Sequence, residues 1–152
     1  GTENMPGIVG FGKAAELTAQ NWQEHAKYTR ELSNYLMDRL VKEVPDLTIN
    51  GSREHRLPHN IHISIAYIEG EAILLYLDMA GIAVSSGSAC SSGTEEPSHV
   101  LKAMGLPAEQ MQSAIRMTIG YNNTKEEMDY VVDVLKEKVA LLRAASPFTV
   151  KK

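Results

Sequence analysis

From residue 8 to residue 44 the chain repeats one pattern. Phe11, Ala15, Thr18, Trp22, Ala26, Thr29, Leu32, Leu36 and Leu40 follow one another at three- and four-residue steps. That period places them on one mostly apolar face of a helix. Lys13, Glu16, Gln20, Gln23, Glu24, Lys27, Glu31, Asn34 and Asp38 fall off that face. Pro6 suits a first helical position, where its missing N–H costs nothing, and Pro45-Asp46 ends the run. A helix of about ten turns exceeds what a single domain usually uses. It needs either a bend or a surface to lie on.

Shorter elements follow. Leu47-Thr48-Ile49 reads as a strand and Asn50-Gly51 as a turn, before a polar loop over 52–59. From Asn60 to Ala66, Ile61, Ile63 and Ile65 alternate with His62 and Ser64, the mark of a half-buried strand. Residues 69–79 predict a helix with Ile73, Leu74 and Leu77 inward and Gly81 at its end. Ile82-Ala83-Val84 predicts a brief strand. Pro97 to Met104 predicts a short helix closed by Gly105, and Ala114 to Ile119 a strand with Ile115, Met117 and Ile119 opposite Arg116 and Thr118. Thr124 and Glu127 have the spacing of a capping box ahead of a last helix, 125–144, with Val131, Val134, Leu135, Val139 and Leu142 inward and Pro147 as its stop. The order α-β-β-α-β-α-β-α points to an α+β fold: a small antiparallel or mixed sheet with helices packed on one face.

Composition narrows the function. Fifteen basic and nineteen acidic residues leave a formal charge of −4, so no basic surplus exists to neutralise the phosphates of a nucleic acid. No apolar run approaches the ~20 residues that cross a membrane, and no secretory signal opens the chain. The single cysteine, Cys90, rules out an internal disulfide and fits a reducing, cytoplasmic setting. The first residues, Gly1-Thr2-Glu3-Asn4-Met5, lack an initiator Met, which suggests processing or excision from something longer.

Cys90 lies in the tract Val84-Ser85-Ser86-Gly87-Ser88-Ala89-Cys90-Ser91-Ser92-Gly93. A lone cysteine is ordinarily a small buried hydrophobe. Five serines and two glycines in ten residues argue against burial, because each hydroxyl and free amide needs a partner. The tract, 85–94, is expected to be a mobile surface loop with an exposed thiol. A helix start near Pro97 would favour a thiolate, whereas Glu95 and Glu96 would oppose it. His99 is a conceivable base, but nothing in the spacing orients it. Zinc-type spacing is absent, and His55, His59 and His62 read as solvated loop and strand residues. Arg116 reads either as a solvated strand arginine or as a planar clamp for a carboxylate. Thr2, just before a helix, reads as a cap or as a phosphate ligand.

Taken together, SSGSACSS, Glu96-Pro97-Ser98-His99-Val100-Leu101, Ile115-Arg116-Met117-Thr118-Ile119-Gly120 and Thr124-Lys125-Glu126-Glu127-Met128-Asp129 resemble the NifS/IscS-type cysteine desulfurases of the class V aminotransferase family. The opening GTENMPGIVGFGKA resembles the stretch joining their large and small domains. The resemblance implies an enzyme on the aspartate-aminotransferase type of fold that uses pyridoxal 5′-phosphate to convert L-cysteine to L-alanine. It implies that Cys90 takes the sulfur as a persulfide, and that its loop delivers the sulfur to an iron–sulfur scaffold or another acceptor protein. It further implies that Arg116 grips the substrate carboxylate, and that Thr2 reaches the cofactor phosphate of the partner subunit in a homodimer. A Ser/Gly tract suits a thiol that must serve two places, and a bidentate arginine suits an amino-acid substrate whose bonds the cofactor polarises.

One departure stands out. The family's Schiff-base lysine follows a histidine, and none of the nine lysines here does. Residues 1–152 are therefore expected to be the C-terminal small domain of a larger enzyme, with 1–10 the interdomain junction and the cofactor domain absent. Such a piece would be an excised segment, a proteolytic fragment or half of a split protein, and catalytically silent by itself. Two rival readings remain: a stand-alone sulfur-carrying or docking module, and the small domain of another class V lyase or aminotransferase.

Overall fold

The computed structural model describes residues 1–86 and 98–145. Helix α1, Met5–Glu43, runs unbroken for 39 residues. Asn4 caps it, its Oδ1 accepting from the Gly7 N–H at 3.1 Å, with Pro6 in the first turn. The sequence predicts one apolar face along the whole length, but only part of that face is packed. The buried positions are Thr29, Leu32, Ser33, Leu36, Met37 and Leu40. Residues 1–20 are exposed throughout, and Phe11 and Trp22 remain 79% and 55% accessible. The first five or so turns stand clear of the described body, because the core is no longer than the second half of the helix.

Strands β1 (Leu47–Ile49), β2 (Asn60–Ile65), β3 (Ser85–Ser86) and β4 (Ala114–Thr118) form one sheet in the order β1-β2-β4-β3, antiparallel at every step. Alternation decides the faces. Ile61 pairs with Met117 and Ile63 with Ile115, and these four with Ile65 are buried beneath α1, α2 (Gly70–Met79) and α5 (Lys125–Ala145). Burying each such side chain contributes roughly 1.5–3 kcal/mol. Ile73 and Leu77 from α2, and Val131, Val132, Leu135 and Val139 from α5, complete that core, while Leu74 and Leu142 are only partly buried. The α+β architecture expected from the sequence is thus present.

Three details differ from expectation. The strand predicted at 82–84 pairs later, at Ser85–Ser86, where the ladder partners Arg116 and Ile115 are available. A short helix α4 (Ala108–Gln112) follows α3 (His99–Ala103); it buries no residue, so no apolar periodicity marks it in the sequence. The alternate face of β2 is also less open than alternation suggests, since Ser64 is 2% exposed and bonded to the Gln110 carbonyl of α4.

The predicted capping box is formed. The Thr124 N–H donates to Glu127 Oε2 at 3.0 Å, and the Glu127 N–H to Thr124 Oγ1 at 3.3 Å. Arg39 ties α1 to α5, reaching Glu43 at 2.7 Å and Asp129 at 2.5 Å, and Lys136 reaches Glu43 at 2.9 Å. These bonds hold the Glu43 carboxyl down to about 2, Arg39 contributing most and Lys136 next. The expected helix stop at Pro147 and helix start at Pro97 lie outside the described residues.

Candidate functional site

The sheet has a second face, and the candidate site lies on it. His62 and Arg116 are direct ladder partners, so both side chains leave the sheet on the side away from the isoleucine core. They line a cavity of roughly 310 Å³ together with Asn50, Arg56, Asn60, Leu101 of α3 and Met104, which caps α3. That volume suits a small molecule. Among the described residues the cavity wall contains two arginines and two histidines, His55 being the second, and no carboxylate.

The two arginines differ in what they already hold. Arg56 braces the 50–60 loop: Nε donates to the Ser52 carbonyl at 2.7 Å, and its guanidinium also donates to the carbonyls of Asn50 and Asn60. Gly51 opens that loop at φ 81°, a left-handed turn that favours glycine. Arg116 has far less. Its one described partner is Ser85 Oγ at 3.5 Å, the outer limit of a hydrogen bond. Among the described residues, every ion pair of an arginine involves Arg39, Arg53 or Arg143, and none involves Arg116. A half-buried guanidinium whose donors are largely uncommitted among the described residues, in a described wall free of negative charge, is suited to an anion. A planar fork favours a carboxylate.

His62 is not the solvated strand histidine that its spacing suggests. It is half-buried, and burial first, then the charges of Arg116 and Arg56, push its pKa below the ordinary 6.5. Its Nδ1 lies 2.9 Å from the side-chain amide of Asn50, which is 5% exposed. Sequence reasoning passed over Asn50 and Ser64; a polar pair flanking a strand histidine was the only signal, and it is weak.

The remaining sequence candidates fare differently. Cys90 lies outside the described residues, as does 87–94 of the tract expected to be a loop; Ser85 and Ser86 of that tract form β3. Thr2 is exposed ahead of the Asn4 cap, at the outer end of the unpacked turns of α1, and the structure does not bring it to the Arg116 cavity. Thr29, the first buried position of α1, comes 24 residues after Met5, or roughly 36 Å of helix. His55 lines the cavity, whereas His59 does not. Among the described residues no group of three or more His, Cys, Asp or Glu side chains is arranged to hold a metal ion. No described helix is long and apolar enough to cross a membrane.

A second cavity, of roughly 410 Å³, is bordered by Ile82, Val84, Met117, Ile119 and Met128. Its one carboxylate, Glu127, is committed to the α5 cap.

Pyridoxal phosphate requires a lysine to hold it covalently and a carboxylate to face its pyridine nitrogen, and the described cavity wall contains neither. The described residues therefore do not by themselves fit that cofactor; what they offer is a guanidinium able to bind an anion.

The chain is similar in sequence and in fold to known proteins. The aminotransferase class-V family profile matches residues 1–131. A cysteine desulfurase IscS of Dictyoglomus turgidum is 47% identical over 148 residues, covering 97% of this chain and 38% of the relative. A cysteine desulfurase IscS 1 of Archaeoglobus fulgidus is 48% identical over 147 residues, with the same coverage. Among solved structures, a NifS-like protein superposes with a TM-score of 0.81 at 32% identity, over 93% of this chain and 35% of its own. The NifS-like protein of Rickettsia africae gives 0.78 at 31% identity. The chain thus spans a little over a third of the length of the relatives it matches. With the family profile covering most of its residues and the fold shared, this chain belongs to the aminotransferase class-V family.

Proposed function

We propose that these residues form the small-domain part of a cysteine desulfurase, and that Arg116 binds the carboxylate of L-cysteine in the cavity on the second face of the sheet. The observation that carries this reading is the Arg116 guanidinium, largely uncommitted among the described residues and in a described wall without acids, in a chain 47% identical to a cysteine desulfurase over 148 residues. Cys90, in the tract that follows β3, takes the sulfur. The Cβ–Sγ bond of the substrate breaks, an S–S bond forms to Cys90, and a proton delivered to Cβ completes L-alanine. Substrate sulfur and Cys90 thiol thus end as a persulfide, with no outside oxidant. Pyridoxal phosphate would supply the electron sink for an amino-acid substrate; no lysine here follows a histidine, the pairing that the family resemblance implies for holding it.

The chain's own residues then have three tasks. Arg116 fixes the substrate by a two-point contact, which sets the direction of the Cβ–Sγ bond. β3 ties the start of the cysteine tract to the strand that carries Arg116, since Ser85 pairs with Arg116 directly; carboxylate site and thiol therefore share one anchor. Thr2 contributes to a phosphate site in a partner subunit of a homodimer, which its exposed place ahead of α1 allows. The persulfide is passed to an iron–sulfur scaffold or a related acceptor in the cytoplasm.

The test is production of L-alanine from L-cysteine by the enzyme that contains these residues together with its cofactor domain. Cys90→Ser is expected to abolish turnover, Arg116→Ala to raise KM for L-cysteine by at least tenfold, and the 152-residue chain alone to be inactive. Unchanged turnover in Cys90→Ser would instead favour another class V lyase or aminotransferase.

A further inference from the structure

The second face of the sheet carries a chain of hydrogen bonds whose direction is set at one end. The Gln110 carbonyl oxygen can only accept, so Ser64 Oγ, 2.6 Å away, donates to it. With its one proton committed, Ser64 Oγ accepts from the Asn50 side-chain nitrogen at 2.8 Å. That fixes which end of the Asn50 amide is nitrogen, and the same nitrogen stands 2.9 Å from His62 Nδ1. An amide NH2 only donates, so Nδ1 accepts, and the single proton of the neutral ring sits on Nε2. Asn50 and Ser64 are 5% and 2% exposed, so water does not compete for these bonds.

Protonating Nδ1 would set two N–H donors against each other. The charged groups around the ring reinforce its neutrality: Arg116 from β4 and Arg56 from the 50–60 loop. His55 is the other titratable residue lining the cavity, and among the described residues α3 and its caps present only uncharged Ser98, Val100, Leu101 and Met104. A neutral ring with its proton fixed on Nε2 therefore stands beside a guanidinium largely uncommitted among the described residues, its ladder partner, with Cβ atoms about 5 Å apart.

We infer that His62 is a second carboxylate-binding residue of this site, its Nε2–H donating to one carboxylate oxygen while Arg116 takes the other, and that Asn50 is the positioning residue that sets the ring's tautomer. This rests on the carboxylate reading of the Arg116 cavity and adds to it a neutral donor whose hydrogen bond does not switch off near neutral pH.

The test is a nuclear magnetic resonance titration of the 152-residue chain with sodium acetate at constant ionic strength, with methylammonium chloride as the control. In the free protein the His62 ring is expected to carry its proton on Nε2 and none on Nδ1. Acetate is expected to shift the His62 Nε2 and Arg116 Nε signals with one common dissociation constant, and methylammonium to shift neither. His62→Leu should weaken acetate about fivefold, the worth of one ordinary hydrogen bond, and His62→Gln, which keeps an N–H donor, should recover most of it. Asn50→Leu should leave the ring a mixture of tautomers. If acetate moves Arg116 and leaves His62 unmoved, the role of His62 is overturned and the Arg116 reading survives. If acetate moves neither, both fail. Should His62→Leu lose the dispersed methyl spectrum of the folded chain, the His62→Gln comparison decides.

Discussion

At the scale of single residues, the site depends on one contrast: Arg56 is committed to loop carbonyls while Arg116 is not. Charge alone is therefore not what Arg116 supplies. Arg116→Lys keeps the charge and loses the fork, so in the intact enzyme it should still raise KM for L-cysteine by about tenfold or more, with a smaller change in kcat. Steady-state kinetics checks this, and a lysine variant with an unchanged KM would show that a point charge suffices. His62 gives a second residue-scale expectation. Its folded pKa is depressed, mainly by burial, so the unfolded chain binds the proton more readily. The stability this group contributes is present above the unfolded value of about 6.5 and is lost as pH falls through the lower folded value. A ring titration should therefore give a midpoint below 6.5, moving upward in Arg116→Ala.

At the scale of elements, the contrast lies within α1. Its second half carries six buried positions and its first half none. Amide exchange measured by mass spectrometry should show protection rising sharply near Thr29, with the turns before Trp22 exchanging fast. Uniform protection along α1 would show that the first half is covered in solution. A close approach elsewhere is as specific: a Cβ on Gly70 would stand 2.7 Å from the Gln112 carbonyl oxygen. Gly70→Ala must push α2 away from the end of α4, and a loss of about 1–3 kcal/mol in chemical denaturation is expected, despite alanine's better helix propensity. Ile63→Ala, in the packed face, should cost about 2–5 kcal/mol.

Element by element, the sequence was legible where period and burial coincide. The isoleucines of β2, the inner stripe of α5 and the Thr124–Glu127 box all carry local signals that the packing confirms. It was less legible where pairing is non-local. Ile82-Ala83-Val84 looks like a strand by composition, but the ladder forms where Arg116 and Ile115 stand opposite, at Ser85–Ser86. α4 has no buried side chain and so no pattern to read. The state of His62 depends on Asn50, Ser64 and the Gln110 carbonyl, which are distant in the chain, and no spacing rule links them.

At the scale of the whole molecule, α1 and α5 are joined by charge as well as by packing. Glu43 is held down to about 2 by Arg39 and Lys136, below the ordinary 4.5. The ion pair therefore contributes fully above about 4.5 and is lost as pH falls from there toward 2. Thermal unfolding followed against pH should show Tm declining across that window, and Glu43→Gln should flatten the decline. The same molecule presents an exposed Phe11 and Trp22 and covers just over a third of its relatives' length, so the proposed activity is tested with these residues joined to a cofactor domain. The most direct measurement is mass spectrometry of the Cys90 peptide after that enzyme, with its cofactor, is given L-cysteine. A peptide heavier by one sulfur, formed together with L-alanine and absent in Arg116→Ala at low substrate, is the expected result. L-Alanine released while Cys90 stays an unmodified thiol at every time sampled would contradict the account.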